Sequence, residues 1–149
     1  MFLTKAVHRR TEMFDIFLTH AWRYHDNWNS FVELLDSVPG FEWRNFSLPW
    51  YDPAFDPRTS LGLKMVTRSL EAQITPVHCV IVLSSVFETK SARAWVDREI
   101  DIARAHNKHI IGVPELGKDE VPQEVRDVVD QVVPWDGGAV VEMIAGGAR

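Results

Sequence analysis

The sequence predicts a three-layer α/β sandwich, a five-stranded parallel sheet with helices on both faces. Two observations carry that prediction. Short apolar, β-prone runs alternate with stretches of helical periodicity from Phe14 to Ile144, and one helix between consecutive strands leaves the strands parallel. The runs Val77 to Leu83 and His109 to Val113 are apolar at successive positions, as strands covered on both faces must be.

Phe14-Asp15-Ile16-Phe17-Leu18-Thr19 opens the pattern as a first strand. Asp26 can cap a helix in which Trp28, Phe31, Val32, Leu34 and Leu35 recur near helical spacing. Pro39-Gly40 punctuates the chain, and Phe41 to Phe46 alternates with period two, as a half-buried or edge strand does. Residues Ser47 to Ser60 hold Pro49, Pro53 and Pro57 among Trp50, Tyr51 and Phe55. Prolines at that density preclude a helix. A loop of this length either packs its aromatics on the core or serves function.

Helical periodicity returns from Thr59 through Leu61, Leu63, Met65, Val66, Leu70 and Ile74, and Pro76 marks its end. Val77 to Leu83 is a central strand followed by Ser84-Ser85. Ala92 to His106 reads as a helix, His109 to Val113 as a buried strand and Pro122 to Gln131 as a short helix. Val132-Val133 makes a last short strand, and Gly138 to Ile144 a final helix. No internal repeat or low-complexity tract interrupts the series. The expectation is one domain over residues 1–149, with a core of 14–135 and an extension at 1–12.

Composition narrows the function. The formal net charge of -5 argues against a duplex-binding module, which needs a basic face to neutralise phosphates. It leaves room for a small basic pocket. Cys79 is the one cysteine, so no intramolecular disulfide forms. It lies in an apolar run, where a thiol is a small buried hydrophobe, whereas reactive thiols sit in exposed, electropositive surroundings. Residues 1–10 do not read as a signal peptide. No stretch approaches the ~20 apolar residues of a membrane span. A cytoplasmic protein with no nucleic-acid or membrane partner is expected.

A parallel sheet of this kind binds ligands outside the carboxyl ends of its strands. The candidate site is therefore His20 to His25, the proline-rich loop, Ser84-Ser85 and the helix that follows. Several chemistries fail there. No Gly-Lys-Ser/Thr phosphate loop occurs and no Gly-x-Gly-x-x-Gly follows the first strand. A phosphoacceptor receiver needs an aspartate where this chain has Ser84. No metal site is expected, because neither His106 with His109 nor His20 with His25 has the spacing that completes one.

The helix 92–106 is more informative. On a wheel of ~100° per residue, Ala92, Val96, Ile100 and Ala103 form the core stripe. Trp95 and Glu99 share its flank, one turn apart. A carboxylate beside a tryptophan at a core boundary is partly desolvated, which strengthens its field. The competing interpretation is an ordinary amphipathic-helix glutamate paired with Arg98 or Arg23.

Four motifs in order resemble the TIR domain family. Phe14 to His20 is similar to the family's opening strand, Tyr-Asp-Val-Phe-Ile-Ser-Tyr. Val80 to Phe87 resembles its central strand and serine turn. Ala94-Trp95-Val96-Asp97-Arg98-Glu99-Ile100 resembles the Trp-x-x-x-Glu-Ile/Leu helix, and Asn107 to Val113 the strand after it. The Thr19-His20-Ala21-Trp22 sequence is closest to the short prokaryotic TIR-like branch, which includes the signal producers of Thoeris anti-phage defence. Where many TIR domains carry arginines directly after the first strand, Ala21 and Trp22 precede Arg23 here.

The resemblance implies a flavodoxin-like fold and a sparse active site. It implies Glu99 as catalytic residue, with Trp95 near the substrate. Thr19, His20, Trp22, Arg23, Trp50 and Ser84 are the further substrate-binding candidates. The implied substrate is NAD+, with no other cofactor, cut between nicotinamide and ribose to give ADP-ribose or a cyclic or conjugated derivative. The implied partners are further copies of the chain in a homo-oligomer and a downstream effector that reads the nucleotide signal. Two other classes fit the same residues: a non-catalytic assembly module and a flavodoxin-like sensor of nucleotide derivatives.

Overall fold

The computed structural model describes residues 12–19, 26–47, 59–87 and 90–147. They form five strands: β1 (Met13–Leu18), β2 (Glu42–Asn45), β3 (Cys79–Leu83), β4 (His109–Val113) and β5 (Gln131–Val132). All pairings are parallel, and the strand order is β2-β1-β3-β4-β5. That is the flavodoxin-like order, whose switch point lies between β1 and β3. The helices are α1 (Asp26–Asp36), α2 (Ser60–Ile74), α3 (Lys90–Ala105), α4 (Gln123–Arg126) and α5 (Gly137–Gly147).

Strand side chains alternate between two cores, as period-two geometry demands. Phe14, Ile16 and Leu18 of β1 join Cys79, Ile81 and Leu83 of β3 beneath α1 and α5. Phe17, Val80, Val82 and Ile110 face the other way, beneath α2, α3 and α4. The helices therefore cover both faces, as predicted. β2 alternates between exposed and half-buried residues, as its edge position requires.

Local chemistry fixes the element ends. Thr59 caps α2 by accepting from the Gly62 amide at 2.9 Å. Val66, Leu70 and Ile74, four apart, give α2 its buried stripe. The Pro39-Gly40 turn uses glycine at φ 78°, a conformation that disfavours side chains. Asn107 ends α3 in the left-handed region at φ 57°. There the Lys108 amide donates to the Ala103 carbonyl and the Asn107 amide to that of Arg104, a Schellman arrangement.

The largest difference from the predicted elements is in the short helix before the last strand. The helix read over 122–131 covers only Gln123–Arg126. Residues 127–128 form a turn, and sheet pairing takes the end, since the Asp130 amide donates to the Ile110 carbonyl and the Asp130 carboxylate accepts from the Ile110 amide, both at 2.8 Å. β5 consequently begins at Gln131, one residue before the predicted strand.

Candidate active site

The carboxyl edge of the sheet is stitched together by two of the predicted site residues. Thr19 follows β1 and is fully buried. Its amide donates to the Ile81 carbonyl at 2.9 Å, and its hydroxyl accepts from the Leu83 amide at 3.0 Å. Ser84 follows β3 and is also buried, and its hydroxyl donates to the Val113 carbonyl at 2.6 Å. Thr19 thus ties β1 to β3 at the switch point, and Ser84 ties β3 to β4. Thr19 keeps its hydroxyl proton and Ser84 its acceptor capacity for a second partner.

Ser84 also opens a single 3-10 turn, Ser84–Phe87, which leads toward α3. Along α3, Val96, Ile100 and Ala103 are buried as the wheel predicted. The side chain of Ala92 lies outside those described. Glu99 departs from the prediction. Expected on a partly solvated flank, it is 0% exposed. The core packed against α3 is wide enough to take in that flank. Glu99 retains an interaction in this setting, as a buried carboxylate must. Trp95 is half-buried and packs against the same core.

Of the two pairings expected for an ordinary helix glutamate, that with Arg23 lies outside the described residues, and Arg98 is engaged elsewhere. The Arg98 guanidinium lies 5.9 Å from the Trp95 ring and donates to the Thr67 hydroxyl at 3.3 Å. His20, Trp22, Arg23 and Trp50 lie outside the described residues. Of the predicted set, the structure therefore brings Trp95 and Glu99 together on one helix and sets Thr19 and Ser84 along the sheet edge.

One part of the edge was not anticipated. A cleft of about 410 Å³ opens beyond β3 and β4, lined by Ser84, Phe87, Glu115, Lys118, Glu120, Val121, Pro122 and Glu124. Arg93, on the first turns of α3, bridges toward it. Its Nη1 lies 2.7 Å from Glu124, and its Cζ lies 5.3 Å from the Phe87 ring. The signal available in the sequence was Pro114 with Gly117, which mark a turn at the carboxyl end of β4. Among the described residues, no three His, Cys, Asp or Glu side chains gather as a metal set. Among them too, no helix is long and apolar enough to cross a membrane.

Residues 17–119 match the family model described as "Thoeris protein ThsB, TIR-like domain". The chain belongs to this family. The match runs from the last two residues of β1 through the loop after β4, and so includes Thr19, Ser84, Trp95 and Glu99. A solved structure, the Clostridium botulinum CMP N-glycosidase BcmB, is a distant likeness of this ThsB-type chain. Its identity is 12% and its TM-score 0.46, with coverage of 88% of this chain and 98% of that chain. No curated protein matches the sequence.

Proposed function

We propose that this ThsB-type domain cleaves the bond between nicotinamide and ribose in NAD+. The products are nicotinamide and ADP-ribose, or a cyclic or conjugated derivative that serves as a signal in anti-phage defence. The observation that carries the reading is Glu99: a wholly buried carboxylate one turn from Trp95, on a helix that resembles the TIR Trp-x-x-x-Glu pattern, in a chain of the ThsB TIR-like family.

The chemistry fits a site with one carboxylate. Nicotinamide leaves as a neutral molecule from a cationic ring, so no general acid is required. Positive charge develops on the ribosyl group as the bond breaks. A carboxylate held close to it stabilises that charge most strongly where water is excluded. This is half of the two-carboxylate arrangement of ordinary glycosidases. Exclusion of water also lets a nucleophile within the substrate compete and close a ring. In the structure Glu99 has no solvent-accessible surface, so turnover includes a rearrangement that uncovers it.

The same reading has the chain work as one TIR-like domain over residues 1–149 in the cytoplasm. NAD+ is then a substrate rather than a cofactor, copies of the chain assemble as a homo-oligomer, and an effector receives the product. His20, Trp22, Arg23 and Trp50 complete the substrate site alongside Thr19, Ser84 and Trp95.

The test is nicotinamide release by wild type and Glu99→Gln at high protein concentration. The variant keeps the size of the side chain and removes its charge. Loss of one preorganised electrostatic group costs on the order of 100- to 1000-fold in rate, and that loss is expected in a variant that still melts cooperatively. A folded variant with the wild-type rate would remove Glu99 from the mechanism. No turnover by either protein, with activators supplied, would favour a non-catalytic assembly module.

A further inference from the structure

Arg98 holds an unusual set of partners. It sits three residues beyond Trp95 on α3, and its guanidinium lies over the indole at 5.9 Å. Its Nη1 reaches across to Thr67 Oγ1 of α2 at 3.3 Å. That hydroxyl already donates to the Leu63 carbonyl at 2.8 Å. A hydroxyl has one proton to give, so its lone pairs are what Arg98 meets. The chain of contacts runs from the α2 backbone through Thr67 and Arg98 to the face of Trp95.

The groove between α2 and α3 also holds Glu71, Asp97 and Asp101. Among the described residues, no carboxylate lies within ion-pair distance of Arg98. A surface arginine with three acidic neighbours ordinarily swings between them. Here the planar group is instead placed by a hydroxyl and a ring, the geometry for which arginine differs most from lysine.

We propose that Arg98 is a positioning residue for Trp95, holding the indole against α3 in the orientation from which it meets the nicotinamide end of the substrate. The proposal rests on the glycohydrolase reading above. Arg98 touches no reacting atom in this scheme, so its loss affects binding before chemistry. Arg98→Gln is expected to raise KM for NAD+ about fivefold, the scale of a half-exposed cation–π contact, with kcat within about twofold of wild type. Thr67→Val, which keeps the shape and removes the acceptor, should move KM in the same direction. Arg98→Lys should rescue only in part. In a Trp95→Ala background, Arg98→Gln should add nothing further. A merely structural role would instead lower the melting temperature and the active fraction, reducing kcat at constant KM.

A second readout does not depend on turnover. The Trp95 indole N–H resonance, identified by its absence in Trp95→Ala, should shift or broaden in Arg98→Gln. An unchanged resonance overturns the proposal whatever the rates. An active wild type with an unchanged KM in Arg98→Gln overturns it too. If the wild type releases no nicotinamide, the glycohydrolase reading fails by itself, and titration with NAD+ decides the positioning role. Weaker binding by Arg98→Gln supports it; equal or undetectable binding overturns it.

Discussion

Trp95 is half-buried, and that intermediate burial separates two roles it can play. Truncating a fully buried tryptophan costs roughly 3–5 kcal/mol. A tryptophan with one exposed face should cost less, about 1–2 kcal/mol, when replaced by alanine. Nicotinamide release by the same variant should fall by more than tenfold if the exposed face meets substrate. A melting curve and a rate measured on one preparation of Trp95→Ala check both. A stability loss of 3 kcal/mol or more with a surviving specific rate would assign the ring to the core.

Cys79 makes a different kind of residue-scale prediction. It is 1% exposed within β3, and burial pushes its thiol up to about 12. The unfolded chain ionises it near the ordinary value of about 8.5. The native state therefore holds a proton that the unfolded state releases, and the unfolded state gains as pH rises. The contribution is whole below about pH 8.5 and drains away towards pH 12. Stability should fall less steeply with pH over that window in Cys79→Ala than in wild type, as read by denaturant midpoints. Thiol reagents at pH 8 should label the native protein slowly and the denatured protein fast. Rapid labelling of native protein would contradict the packing of β3.

At the scale of elements, Thr19 and Ser84 act as stitches between strands that are already paired. Thr19→Val preserves the shape of the side chain but leaves the buried Leu83 amide without its acceptor. A buried donor left unmade costs about 1–3 kcal/mol, and a lowered denaturation midpoint of that size is expected. Thr19→Ser should recover most of it. If Thr19 also meets substrate, Thr19→Val loses turnover beyond what its reduced stability accounts for.

These elements also show what could be read in advance. The buried stripe of α2, the boundaries of β4 and the covering of both sheet faces follow from periodicity, because each is set by which residues leave water. The strand order β2-β1-β3-β4-β5 is set by long-range pairing, on which periodicity is silent. The early end of α4 has the same origin, since pairing with β4 outcompetes a weak local helical preference at Asp130. Glu99 shows the limit at the site itself. A helical wheel places it one turn from Trp95, but the width of the arc covered by neighbouring elements decides between a boundary and the interior. Arg98 adjoins Glu99 in sequence, but neighbouring helix positions do not face each other, and Thr67, distant in sequence, meets its guanidinium.

At the scale of the whole molecule, the buried position of Glu99 and the composition of residues 47–60 bear on the same question. Under the proposed reading, a chain that keeps its carboxylate out of solvent needs something to uncover it, and association with a second copy is the route proposed. The segment 47–60 carries Trp50, Tyr51 and Phe55 between its prolines, more apolar surface than a solvated loop keeps exposed at no cost. Residues 48–58, which hold all three aromatics, lie outside the described residues, so their sequence carries the expectation. Contact of these aromatics with a second copy would couple assembly to activity. Specific activity should then rise with protein concentration and level off where the assembly is complete, and light scattering on the same samples should show the larger species appear in step. The double variant Trp50→Ala, Tyr51→Ala should remove both the larger species and the concentration dependence while melting as wild type does. Activity that is proportional to concentration throughout, with the double variant unchanged in size and turnover, would mean that each copy opens its own site and that these aromatics serve the single chain.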